Sequence, residues 1–142
     1  MTSEAPSAHL RYILEQRSEK IHKTKSTVLF RRGDKASGMF VVPSGRVSLD
    51  LGVNSLLARS YGVGTLVGLP STITRQTYSM TATVTEDAEL GFLSPNGLEA
   101  LLRECPDLYQ PLLVILGEKI AESREDERAV IDGEKANYVA TK

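Results

Sequence analysis

One stretch constrains this chain more than any other: Ser60 to Val84, SYGVGTLVGLPSTITRQTYSMTATV. Glycines at 62, 64 and 68 free the backbone for tight approach, and a short helix-capable segment follows them. Tyr78, Met80, Ala82 and Val84 then alternate with Ser79, Thr81 and Thr83, the period of a half-buried strand. The spacing predicts a glycine-bounded loop feeding a strand. Backbone N–H groups bunched after Gly68 and at a short helix start make an anion cradle, the place a small phosphorylated ligand would occupy.

The flanking sequence says what such a loop is built on. Leu10, Ile13 and Leu14 recur at helical spacing behind Ser7 as N-cap, so a helix is expected over 8–17, after a loose lead-in over 1–7. Ile21 and Thr27 to Phe30 read as strand, while Arg32-Gly33-Asp34 and Ser37-Gly38 carry turn chemistry. Met39 to Val42 reads as a strand buried on both faces. Pro43-Ser44-Gly45 reads as a tight turn, and Val47, Leu49 and Leu51 as the second arm of a hairpin. Gly52 to Asn54 is a further turn, Leu56 to Tyr61 a strand, Thr85 to Asp87 a turn and Ala88 to Leu93 a strand. Many short strands at such intervals predict a mainly β fold, an antiparallel, jelly-roll-like β-roll, with one N-terminal and two C-terminal helices.

The period changes again after Leu93. Ser94-Pro95 is an N-cap and first-turn pair opening a helix with Leu98, Leu101 and Leu102, which ends near Cys105-Pro106. Asp107 and Gln110 resemble a capping box for a longer helix carrying Leu108, Leu112, Ile115, Leu116 and Ile120, with Pro111 in its first turn. Leu113, Val114 and Ala121 widen that apolar stripe beyond what one core needs. A second apolar face predicts a homodimer through this helix, its interface drawn from Leu112, Leu113, Ile115, Leu116 and Ile120. The run SREDER that follows is a charged, solvated face in which Glu125 and Arg128 can pair. Residues 1–142 are therefore read as one domain: helix plus roll over 8–93, C-terminal helices over 94–131, and a frayed tail over 132–142.

Composition narrows the function. A net charge of −1 provides no global field for nucleic acid or an anionic membrane. The longest apolar run, Leu112 to Leu116, is far too short to span a bilayer, and MTSEAPSAHL is too polar for a secretory leader. With one cysteine, Cys105, no internal disulfide forms, and a cytoplasmic setting is expected. His9 and His22 are isolated, no Cys, His, Asp and Glu cluster has metal-ligand spacing, and Cys105 has no histidine in local reach. No metal, no cofactor and no catalysis are expected.

The segments TVLFRRGDKASGMFVVPSGRVSLDL, GTLVG, DAELGFLS and Pro106-Asp107-Leu108, with the spacing of Gly33, Gly45, Gly64 and Gly68, resemble the cyclic-nucleotide-binding domain family. That family includes the regulatory part of catabolite-activator-type transcription factors and of cyclic-nucleotide-dependent kinases and channels. The resemblance covers about residues 8 to 128. It implies a phosphate-binding cassette in which a glutamate after Gly68 takes the ribose hydroxyl and a later arginine pairs with the cyclic phosphate. Here Leu69 stands at the glutamate position, and Tyr78, followed by Ser79, at the arginine position.

Between Leu51 and Thr85 there is no Asp or Glu, so no local carboxylate replaces the missing one. Arg75 is the only nearby cation after Gly68; it either reaches inward as a relocated phosphate ligand or is a solvated loop residue. Tyr78 either lines an apolar pocket or fills the core. Ser123 stands where catabolite-activator-type members set a long-helix hydroxyl against the purine, or is surface.

The candidate pocket is thus Gly68, Leu69, Pro70, Ser71, Arg75, Tyr78 and Ser79, with Ser123 as a long-helix contact. The expected function is a non-enzymatic regulatory module whose degenerate cassette does not hold cyclic AMP or cyclic GMP, acting through another small ligand or through protein contact. The alternative is a divergent cyclic nucleotide receptor using Arg75 and backbone N–H groups. A DNA-binding regulator is a third reading, against which stand the mere 14 residues after Arg128, too few for a helix-turn-helix domain.

Overall fold

The computed structural model describes residues 4–51 and 58–121, with the side chains of 4–7 left aside. Helix α1 runs Glu4–Arg17, so it begins ahead of the Ser7 expected to cap it. Pro6 falls in its first turn, where a fixed φ suits the helix and a missing N–H costs nothing. Leu10 and Leu14, one turn apart, are fully buried.

Six strands follow: β1 Glu19–Lys23, β2 Val28–Phe30, β3 Met39–Asp50, β4 Arg59–Tyr61, β5 Leu66–Val67 and β6 Thr81–Leu93. The antiparallel sheet is built on the two long ones, β3 and β6, which pair from Met39↔Leu93 to Asp50↔Thr81. The outer edge of β6 takes β1 near its end and β2 near its start, and the outer edge of β3 takes β5 near its start and β4 near its end. Where the partners change, the β3–β6 ladder slips: β3 holds one extra residue between Val41 and Ser44, and β6 one between Glu86 and Glu89 and one between Val84 and Glu86. Bulges of this kind bend a pair and sharpen its twist, which folds one sheet into a roll.

Two expected turns are therefore corrected. Pro43-Ser44-Gly45 lies inside β3, where Ser44 pairs with Glu89. Turn residues are also bulge residues: Pro43 has no N–H to lose from the ladder, and Gly45 takes φ 95° against Ala88, where any Cβ would collide. Thr85-Glu86-Asp87 likewise lies inside β6, its charges on the outside of the bulge.

Beyond β6, Ser94 caps helix α3, Pro95–Glu104, by accepting from the Gly97 N–H at 3.0 Å, as its sequence predicts. Instead of a capping box at Asp107, a 3₁₀ turn spans Pro106–Leu108, and helix α4 occupies 109–121. Two C-terminal helices are present, as expected. Ser123 and the SREDER run lie outside the described residues, as does the first part of the strand expected from Leu56. No helix of the described residues is long and apolar enough to cross a membrane.

The core has two parts. Leu10, Leu14, Met39, Val41, Leu66, Leu69, Leu98, Leu101, Leu108, Leu112 and Ile115 pack between the sheet and the helices. Phe30, Phe40, Val42, Val47, Val67, Tyr78, Ala82, Val84 and Leu90 fill the roll. Alternation along Met39 to Val42 sends one pair to each side, as expected for a segment buried on both faces. Leu112 and Ile115 belong to the first part, which corrects their assignment to a dimer interface. The apolar side chains that α4 leaves exposed are Tyr109, Leu113, Val114 and Ile120.

Candidate functional site

The cassette begins where β5 ends. Gly68 takes φ 81°, ψ 12°, a left-handed conformation that turns the chain into helix α2, Leu69–Thr74. A Cβ on Gly68 would stand 3.1 Å from the Tyr78 ring, 3.3 Å from the Gly38 carbonyl and 3.3 Å from the Phe30 ring. Within α2 the carbonyls are consumed locally: Thr72 Oγ1 donates to Gly68 O at 2.7 Å and Thr74 Oγ1 to Pro70 O at 2.9 Å. Ser71 is buried, and its carbonyl accepts from the N–H groups of Arg75 and Gln76. Pro70 is half-buried.

Leu69, at the position where a ribose-binding carboxylate was sought, is fully buried in the helical part of the core. That side chain points away from the roll. Arg75 closes α2 in a left-handed conformation, φ 57°. Its guanidinium turns onto α3, donating to Asn96 Oδ1 at 3.0 Å and lying 3.5 Å from Glu99, which Arg103 also approaches at 3.4 Å. The only cation considered as a relocated phosphate ligand thus has an acidic and an amide partner on the outside of the fold.

Tyr78 is the centre of the site. It precedes β6 rather than lying on a strand, so the expected alternation from 78 to 84 begins only at Thr81. The backbone of Tyr78 is sewn to the β2–β3 loop instead: Tyr78 N–H donates to Asp34 O and Gly33 N–H to Tyr78 O, each at 2.9 Å. Ala36 N–H donates to Gln76 O at 2.9 Å, and Lys35 bridges Thr77. Held this way, the ring enters the roll with 3% of the residue exposed and stacks on Phe30, centroids 3.7 Å apart and planes 10° from parallel. Phe40 lies 6.2 Å from Phe30 and 5.2 Å from Phe92, which completes an aromatic wall.

The Tyr78 hydroxyl is saturated. It donates to Gly38 O at 2.6 Å, accepts from the N–H groups of Ser37 and Gly38 at 3.1 Å each, and touches Ser37 Oγ at 3.3 Å. Two convergent backbone donors beside a glycine are what an oxyanion or phosphate oxygen would use; here a phenol uses them. Ser79, the next residue, is exposed.

The structure therefore brings Gly68 and Tyr78 into contact and places Leu69, Arg75 and Ser79 away from that contact. Sequence reasoning missed Phe30, Ser37 and Gly38 as Tyr78's partners. Ser37-Gly38 carries only turn chemistry in the sequence, and no local period signals a donor pair about 40 residues from its acceptor. Among the described residues, no group of three or more His, Cys, Asp or Glu is arranged to hold a metal ion.

Family comparison agrees with this geometry. The cyclic nucleotide-binding domain model matches residues 20–105, which spans the six strands, the cassette and α3. The chain belongs to the cyclic nucleotide-binding domain family. Among solved structures, the Thermus thermophilus catabolite activator protein superposes with a TM-score of 0.71 at 24% identity, covering 88% of this chain and 62% of that one. A protein from work on a cyclic-GMP-dependent signalling pathway in bacterial phytopathogenesis gives a TM-score of 0.72 at 22% identity, over 81% of this chain and 94% of that one. At these identities the likeness is one of fold.

In sequence, patatin-like phospholipase domain-containing protein 7 of Mus musculus is 36% identical over 96 residues, 65% of this chain. Patatin-like phospholipase domain-containing protein 6 of Homo sapiens is 30% identical over 95 residues. The chain spans only 7% of the length of each of these curated relatives.

Proposed function

We propose that this domain is a non-enzymatic regulatory module whose cassette is closed by its own Tyr78, so that neither cyclic AMP nor cyclic GMP binds. The observation that carries this is the saturated Tyr78 hydroxyl, stacked on Phe30 and pressed against Gly68. A cyclic phosphate keeps its negative charge, and burying that charge beside a neutral phenol costs several kcal/mol even with backbone donors. A guanidinium fork would offer charge-assisted bonds roughly twice as strong as the phenol's. Leu69, which neither donates nor accepts, adds a second penalty at the ribose. At about 2 to 3 kcal/mol for each position, a micromolar site weakens to millimolar or beyond.

Such a module acts through protein contact, and the exposed side of α4 is the surface that supports this. Tyr109, Leu113, Val114 and Ile120 give that helix an outward apolar strip, on which we base a homodimer. With a net charge of −1 and no groove-reading helix in the fold described, the chain by itself is not a DNA binder. Its sequence kinship with a small part of much longer phospholipase-domain proteins supports the same role, a regulatory segment rather than a catalytic one.

Calorimetry tests the closed cassette. Neither cyclic nucleotide should show saturable binding at about 100 µM. Micromolar binding that Arg75→Ala abolishes would overturn the reading and establish the divergent receptor, with Arg75 leaving Asn96 and Glu99 for the phosphate. The double change Leu69→Glu with Tyr78→Arg is the complement: recovered affinity would show that the Ser37–Gly38 donors still accept a phosphate once the phenol is gone.

A further inference from the structure

A second polar site lies on the helical side of the sheet, apart from the Tyr78 contact. Between α1, the turn from Tyr61 to Leu66 and α4 there is a cleft of about 160 Å³, open on one side. Arg11, Gly64, Thr65, Glu118 and Lys119 line it with the Tyr61 ring. Arg11 reaches across from α1 and lays its side chain along the turn, so that its Cδ and Nε would be 3.6 Å from a Cβ on Gly64. Gly64 itself holds φ 92°, with its N–H donating to Val42 O at 2.8 Å, so the turn is fixed by its backbone.

Arg11 is where the local chemistry is incomplete. Its Nε is buried and has no hydrogen-bond partner among the described residues. A desolvated guanidinium N–H without a partner is unfavourable until something relieves it. Only an acceptor, preferably an anionic one, does so. Glu118 lines the same cleft. Lys119 adds a second cation, its Nζ 6.0 Å from the Tyr61 ring centroid.

We propose that this cleft is a binding site for a compact anion, a phosphate or carboxylate group, anchored by the Arg11 guanidinium with Lys119 at its side. The size fits, since about 160 Å³ leaves room for such a group.

Inorganic phosphate and acetate are the probes, titrated calorimetrically against the whole chain at matched ionic strength. Saturable millimolar binding of either one is expected, and the probe that binds tells whether the natural group is a phosphate or a carboxylate. Arg11→Gln should weaken it at least tenfold and Lys119→Gln by less, while Arg75→Gln, at the cassette, should leave it unchanged. That control separates this site from any failure of the closed-cassette reading. No saturation by either probe, or binding retained in Arg11→Gln, overturns the proposal. Denaturant unfolding in a buffer containing neither anion is the second readout. There Arg11→Gln should match or exceed the wild-type midpoint, because it removes an unpartnered donor; a lowered midpoint would make Arg11 a structural prop and overturn the proposal as well.

Discussion

The interior of the roll and the outer side of α4 are treated oppositely by the same chain. Inside, Tyr78 has only 3% of its surface exposed and its hydroxyl has every bond it can make. Outside, Leu113 is 64% exposed, with Tyr109 and Val114 beside it. A surface that has satisfied its own polar groups gains nothing from a small polar ligand, whereas an uncovered apolar strip gains from any partner that removes it from water. On that contrast rests our proposal that partners meet this domain along its helices and not in the cassette.

The strongest attack on that contrast is Tyr78→Ala. It deletes a stacked ring and orphans the Ser37 and Gly38 donors, so unfolding in urea should report a loss of about 3 to 5 kcal/mol. A loss below about 1 kcal/mol would mean the roll collapses readily and the ring is not its filling. Tyr78→Phe sharpens the point by keeping the stack on Phe30 while removing the hydroxyl. About 1 to 3 kcal/mol should go, because the Gly38 N–H and carbonyl stay buried without their partner and the part-buried Ser37 N–H loses its own.

On the other side, Leu113→Glu should leave unfolding within about 0.5 kcal/mol of wild type while converting the dimer to a monomer in light scattering. A wild-type monomer at tens of micromolar would remove the dimer proposal.

The smallest effect is expected at the Arg17–Glu104 pair, which ties the end of α1 to the end of α3 at 3.0 Å on the exposed surface. Hydrogen bonding and charge attraction from Arg17 hold the Glu104 carboxyl below its ordinary value. A depressed folded-state carboxyl stabilises above its unfolded value, and that stabilisation is lost as pH falls through the folded one. The thermal midpoints of wild type and Glu104→Gln should therefore differ slightly at about pH 7 and converge towards about pH 3; a gap that widened in acid would contradict the assignment.

Much of this was legible in the sequence because it is written in short-range periods. The alternation of Met39 to Val42, the Ser94-Pro95 cap and the helical spacing of Leu10 and Leu14 each need only neighbouring residues to be read. Pro43-Ser44-Gly45 misled because a bulge and a hairpin turn draw on the same residues; which one forms depends on whether a partner strand continues opposite, here Glu86 to Glu89. Leu112 and Ile115 could be placed on an apolar helix, but two apolar faces look alike until the core has claimed one of them. The site divides the same way. Absence of charge at Leu69 and Tyr78 was visible directly, while the backbone donors that satisfy Tyr78 sit on another loop and have no sequence signature.

The doubly buried segment of β3 has a consequence for how the chain finds its structure. In an ordinary half-exposed strand, slippage by one residue throws apolar side chains into water and is penalised at once. Met39 to Val42 has no such penalty, since a slipped strand would only trade Met39 and Val41 for Phe40 and Val42 between two oily compartments. Mispairing there is prevented instead by shape. Gly45 is where β3 can sit directly over Ala88, and the extra residues of both strands act as stops that let the ladder close in one alignment. A proline or β-branched residue in place of Gly45 would thus do its damage as frame-shifted, aggregation-prone folding intermediates as well as a strained native state.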